Sequence, residues 1–201
     1  GREEGRPRGG WDRPPVVLLH GFPEFWYSWR RQMTDLAAAG HRVVAPDQRG
    51  YNLSEKPADV SAYRVDRLAD DVEALVRHLG STSAVVAGHD WGGAVAWHLA
   101  RRRPELLERL VILNAPHPAA YRRELRRPGQ LLRSWYVLFF QLPRLPEAAI
   151  RAGDYAVLER ILRRDPVRPG AFSEEDVAAY KAALDRPDAL TAALNWYRAN
   201  L

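Results

Sequence analysis

The sequence predicts an α/β protein: an open parallel sheet wrapped by helices on both faces, followed by a helical lid. Three observations predict it. Short apolar, β-branched runs alternate with stretches of helical periodicity between residues 15 and 118. One strand-to-helix junction in that stretch reads Gly88-His89-Asp90-Trp91-Gly92-Gly93. After Asn114-Ala115-Pro116-His117-Pro118 the alternation stops, and residues 119–201 carry helical patterns alone.

In chain order, residues 1–14 show no periodicity and are expected to be a disordered or atypical N-terminus. Pro15-Val16-Val17-Leu18-Leu19-His20 is short and continuously apolar, as a strand buried on both faces must be. A loop over 21–25 leads to a helix near 26–39, ended by Gly40. A strand over 42–46 and a polar loop over 47–54 follow. Leu68, Val72, Leu75, Val76 and Leu79 recur at helical spacing and place a helix over 65–79, with Gly80 behind it. Strands are expected at 84–87 and 110–114, and the helix after Asp90 should run to about 102. In the lid region, helices are expected at 131–142, 147–153, 155–163, 174–184 and 189–198. The first of these is apolar nearly all round and too short to span a bilayer, so it is expected between two packed layers.

Composition narrows the function classes. The 201 residues suit one domain with an insert, and 46% hydrophobic residues with seven Trp supply a core. Without cysteine there is neither a disulfide framework nor a thiolate metal site. No histidine–carboxylate spacing marks a metal site, and no motif marks a cofactor. The net charge of +5 invites a nucleic-acid reading, but the cations alternate with acids, as in Arg122-Arg123-Glu124, and read as solvated surface. No apolar run is long enough for a membrane, and the polar, Gly/Arg-rich start has no signal-peptide core, so the cytoplasm is the expected location.

The junction at Asp90 has the small-x-nucleophile-x-small spacing of an elbow that lifts one side chain above a sheet edge. A carboxylate that attacks saturated carbon leaves an ester, which water can later cleave; a serine would leave an inert ether. An Asp elbow therefore points to substitution at an sp3 carbon through a covalent intermediate.

Four stretches in order resemble the α/β-hydrolase fold family, in its epoxide hydrolase branch. They are His20-Gly21-Phe22-Pro23-Glu24 with Trp29-Arg30, Asp47-Gln48-Arg49-Gly50-Tyr51 through Ser54-Glu55-Lys56-Pro57, the elbow, and Asn114-Ala115-Pro116-His117-Pro118. The resemblance implies a core over 15–118 and a lid over 119–201. It implies Asp90 as nucleophile, the backbone N–H groups of Phe22 and Trp91 as oxyanion hole, and Pro23 and Trp91 against the substrate. Tyr136 and Tyr197 match lid tyrosines that protonate the epoxide oxygen, although the apolar setting of Tyr136 also fits a plain core tyrosine. The implied partners are a small epoxide and water, with no cofactor.

In the family, the acid and the histidine base follow the lid, and this chain reaches Leu201 without them. It reads as a fragment of roughly two thirds of a family member, crippled in turnover. His117 is the one histidine expected near the strand C-termini; His20, His41, His78, His89 and His98 are assigned elsewhere. Two other readings stand beside the first. A haloalkane dehalogenase shares the Asp-Trp pair but has Asn where Phe22 stands, and the fluoroacetate type has Arg where Trp91 stands. A non-catalytic remnant or binding module is the third.

Overall fold

The structure, a computed structural model, describes residues 2–4, 13–164, 166–168 and 170–201. Four strands are parallel: β2 (Val16–Leu19), β3 (Val43–Ala45), β4 (Ala84–His89) and β5 (Leu107–Leu113). A further strand, β1 (Arg2–Glu4), lies antiparallel on β3, giving the order β1-β3-β2-β4-β5. β1 corrects the expectation for residues 1–14. Three residues are too few to show an alternating pattern, and the pairing register Arg2↔Ala45 is set by β3.

Helices cover both faces. On one face α1 (Arg30–Ala38), entered through a 3-10 turn at Trp26–Trp29, packs Trp29 and Met33 on Val16, Leu18, Val43 and Ala45. On the other, α2 (Val65–His78) and α3 (Trp91–Arg102) bury Leu68, Val72, Val76, Val95 and Leu99 against Val17, Leu19 and Val86. The Arg101-Arg102-Arg103 run closes α3. Arg102 bonds Asp70 and Arg103 bonds Glu73, so two of its three cations tie α3 to α2. Arg49 forks onto Asp71 of α2 at 2.6 and 2.8 Å.

After β5 come α4 (Pro118–Glu124), α5 (Pro128–Arg133), α6 (Trp135–Phe139), α7 (Leu145–Arg164), α8 (Glu174–Leu184) and α9 (Ala189–Ala199). Left-handed residues at Gly153, Asp154 and Tyr155 break α7 into the two expected halves. α8 starts on a capping box, in which Ser173 accepts from the Asp176 N–H and Asp176 accepts from the Ser173 N–H.

The helix expected over 131–142 is corrected. It is split at Ser134, whose ψ of 13° leaves the helical range and whose buried hydroxyl is held by Gln130 and Tyr121. Nor is it sandwiched: Leu132 is 73% and Trp135 61% exposed. Only Phe140 and the partly buried Val137 and Phe139 turn inward, into a cluster with Phe25, Tyr155, Leu158, Val177, Tyr180 and Leu194. α9 joins the two regions. Ala192, Ala193 and Trp196 pack into the sheet-side core, while Leu190, Leu194 and Tyr197 pack into the helical cluster.

Candidate active site

β4 ends at His89, and Asp90 sits alone between it and α3 with φ 51° and ψ −119°. A non-glycine residue at positive φ is strained, and such strain persists only where the surroundings enforce it. Here they do. A Cβ at Gly92 would run into the backbone carbonyls of Leu19 and His20, so only glycine lets α3 start this close to β2. A Cβ at Gly21 would meet the Asp90 side chain itself. The loop after β2 and the elbow after β4 therefore touch at the carboxylate.

The half-buried Asp90 accepts a hydrogen bond at Oδ1 from the Phe22 N–H at 2.9 Å, and the Trp91 N–H also donates to the carboxylate. Burial raises its pKa above the ordinary aspartate value, the two N–H groups pulling against it. The loop that presents Phe22 is pinned by His20, which is fully buried. Its Nδ1–H donates to the Gly21 carbonyl at 3.0 Å and its Nε2 accepts from the Gln48 N–H at 3.1 Å. Those roles require a neutral ring, and burial lowers its pKa accordingly.

Beside the elbow, His89 Nδ1 lies 3.0 Å from Glu24 Oε2. The hydrogen bond to Glu24 raises the His89 pKa. Burial pushes Glu24 up, but His89 pulls it, on balance, below its ordinary value. Glu24 stands in the His20–Glu24 motif, but nothing in the motif names its partner. A pairing across 65 positions leaves no local signal.

Aromatic rings close the space around Asp90. Tyr197 lies edge-on to Trp91 at 5.1 Å and to Phe22 at 5.5 Å between centroids. Tyr136 meets Tyr197 at 6.1 Å. Burial first, then the nearby Asp90 charge, holds the Tyr197 phenol well above its ordinary pKa; burial chiefly raises that of Tyr136. The structure thus gathers Phe22, Asp90, Trp91, Tyr136 and Tyr197. The two tyrosines differ: Tyr197 is 7% exposed and Tyr136 38%. Pro23, half-buried, follows Phe22 through a cis peptide bond. His117 caps α4 by accepting from the Ala119 N–H and stacks edge-on with Trp97. Among the described residues, no group of three or more His, Cys, Asp or Glu side chains is arranged to hold a metal ion, and no helix is long and apolar enough to cross a membrane.

A parallel sheet whose central strand ends in a strained turn, with helices packed over the strand C-termini, defines an α/β hydrolase. The chain belongs to the alpha/beta hydrolase fold family, which matches residues 14–177. It is 53% identical to AB hydrolase superfamily protein YfhM of Bacillus subtilis (strain 168), over 94% of this chain and 66% of that protein. It is 40% identical to epoxide hydrolase 4 of Mus musculus, over 92% of this chain and 53% of that protein. The crystal structure of Bacillus megaterium epoxide hydrolase with an inhibitor superposes with a TM-score of 0.89 at 31% identity, covering 98% of this chain and 67% of the other. The chain thus spans about half to two thirds of the length of the curated relatives it matches.

Proposed function

We propose that this chain carries the alkylating half of an epoxide hydrolase reaction. Asp90 Oδ2 attacks a ring carbon, the carbon–oxygen bond breaks with its electron pair going to oxygen, and a tyrosine phenol supplies the proton that completes the alcohol. An ester joins Asp90 to the opened substrate. The observation that carries the reading is the Asp90 carboxylate, bonded at Oδ1 by the Phe22 N–H at 2.9 Å and faced by the Tyr197 ring through Phe22 and Trp91. When water later attacks the ester carbonyl, the oxygen already resting on the Phe22 N–H takes the negative charge, with the Trp91 N–H beside it. Donors fixed before the charge develops cost no reorganisation.

The tyrosines suit the acid role. A ring-opened alkoxide is a very poor leaving anion, and a phenol kept protonated by burial remains an acid across neutral pH. His20 and His89 are bonded to other groups and His117 caps a helix, so none of these three is assigned to activate the water.

The test is mass spectrometry of the purified chain incubated with styrene oxide. The expected result is one adduct, mapped to Asp90, absent in Asp90→Asn and slowed about 10²-fold or more in Tyr197→Phe. Because attack needs the carboxylate and its pKa is raised, the rate should fall with acidification at a pH above that of an ordinary aspartate. No adduct, or one on another carboxylate, refutes the reading and favours a binding module.

A further inference from the structure

We propose that Arg198 is a positioning residue for Tyr136: its guanidinium clamps the exposed helix α6 onto α9 and so holds the Tyr136 phenol beside Tyr197. The inference rests on the acid role proposed above for these tyrosines.

Arg198 stands one residue beyond Tyr197 on α9, and all five of its N–H donors are used. Nε donates to the Phe140 carbonyl at 3.0 Å, and Nη2 to the Leu142 carbonyl at 3.0 Å. Nη1 and Nη2 fork onto Glu147 at 2.9 and 3.1 Å, and Nη1 also reaches Asn195 Oδ1 at 3.2 Å. The Phe140 carbonyl is the cap of α6, where a helix has no partners of its own to offer, and the Leu142 carbonyl lies in the turn just beyond it. Glu147 and Asn195 are themselves buried. Burial raises the Glu147 pKa, but the fork pulls it, on balance, below the ordinary value, so the pair is charged. One planar cation thus joins α9, the end of α6 and the start of α7.

α6 needs such a clamp. It has five residues, far below the length at which a helix stands alone in water, and Trp135, Tyr136 and Leu138 on it are exposed. Its inward anchor is Phe140, whose ring meets Tyr197 at 4.9 Å, Tyr136 at 5.7 Å and Phe22 at 5.6 Å. The Phe140 carbonyl that Arg198 holds is therefore on a residue whose ring touches both tyrosines. Tyr197 is secured by its own burial; Tyr136 depends on the strap.

Arg198→Lys separates positioning from charge, because lysine keeps the cation and loses the fork. The full chain would carry 3-fluorotyrosine at position 136 or 197, read by 19F NMR, with circular dichroism reporting the fold. The position-136 line should shift or broaden in Arg198→Lys while the position-197 line moves much less. Alkylation of Asp90 by styrene oxide should slow about tenfold or more, since small misplacements of a catalytic group are costly. In a Tyr136→Phe background the same change should slow it less than about twofold. An unmoved position-136 line in a folded variant overturns the proposal, as does an equal loss in both backgrounds, which marks a merely structural ion pair. If Arg198→Lys does not fold, Glu147→Gln should shift the same line, and no shift overturns the proposal. Absence of alkylation in the parent chain refutes the acid reading, and the 19F lines then decide the clamp alone.

Discussion

The two halves of this site are held by different kinds of contact. Around Asp90, backbone meets backbone: β4 runs in register with β2 from Val85 to Gly88, and α3 begins against the Leu19 and His20 carbonyls with no room for a Cβ. Around Tyr136 and Tyr197, side chains do the holding: a ring cluster of Phe22, Phe140 and the tyrosines, and the Arg198 fork on Glu147 and two carbonyls. Backbone contacts of the first kind have no alternative arrangement within the allowed conformations. Side-chain contacts of the second kind can repack. A rigid carboxylate below adaptable rings suits the proposed reaction, whose attacking atom is constant while its substrate shape is not.

The largest expected effect comes from breaking the rigid half. In Gly92→Ala the new methyl meets the Leu19 and His20 backbone, neither of which is the far end of a flexible side chain. Overpacking of this kind destabilises by about 1–3 kcal/mol, and backbone neighbours that cannot swing away place this site at the upper end. Urea titration followed by Trp fluorescence should show the midpoint collapse, or the chain should fail to fold. A loss below about 1 kcal/mol would mean that the elbow is as adaptable as the helices above it.

The same contrast explains what the sequence disclosed. Glycines at 88 and 92 around Asp90, after a β-branched run, announced a backbone turn, and the structure has it with φ 51°. Periodicity placed α2 and α8 to within a residue or two, because each buries a regular stripe; α9 was placed as closely although it is buried nearly all round. It failed at 131–142, where continuous apolarity stood in for a stripe and the break depends on where the Ser134 hydroxyl finds Gln130 and Tyr121. It also missed β1, whose partner lies some forty residues away, and it had no means of finding Glu24–His89 or the Arg198 fork. Backbone demands are written locally; side-chain partnerships are written only in the fold.

An intermediate effect is expected where a side-chain pair supports the rigid half. Glu24 has a folded pKa below its ordinary 4.5, so its contribution is present above that value and is lost as pH falls through the lowered one. His89 has a folded pKa above its ordinary 6.5, so its contribution is full below that value and is lost as pH rises through the raised one. Both are present between about 4.5 and 6.5. Glu24→Gln should therefore cost about 1–2 kcal/mol near pH 6, with a visibly smaller gap near pH 9. Thermal melts at the two pH values check it. A gap that widens toward pH 9 would show that the pair is not an ion pair.

The smallest effect should come from the ion pairs on the outer surface of the helices. Lys181 bridges Asp154 and Glu159, each at 2.9 Å, and Glu159 also accepts from Arg163 at 2.9 Å. The geometry is good, but the setting is weak. The Asp154 side chain is 82% exposed and that of Glu159 36%, so water screens both, and ordering the lysine side chain opposes what Coulomb attraction remains. Beneath them, Tyr155, Leu158 and Tyr180 are packed in the apolar cluster that holds α7 against α8 whether or not the bridge forms. Lys181→Ala should lower the melting temperature by no more than about 2 °C at low salt, and the difference should vanish near 1 M NaCl, where screening acts within about 3 Å. A larger loss that survives salt would mean that the helical half is fastened by charge rather than by ring and aliphatic packing. The line between a rigid, backbone-set half and an adaptable, packed half would then have to be redrawn.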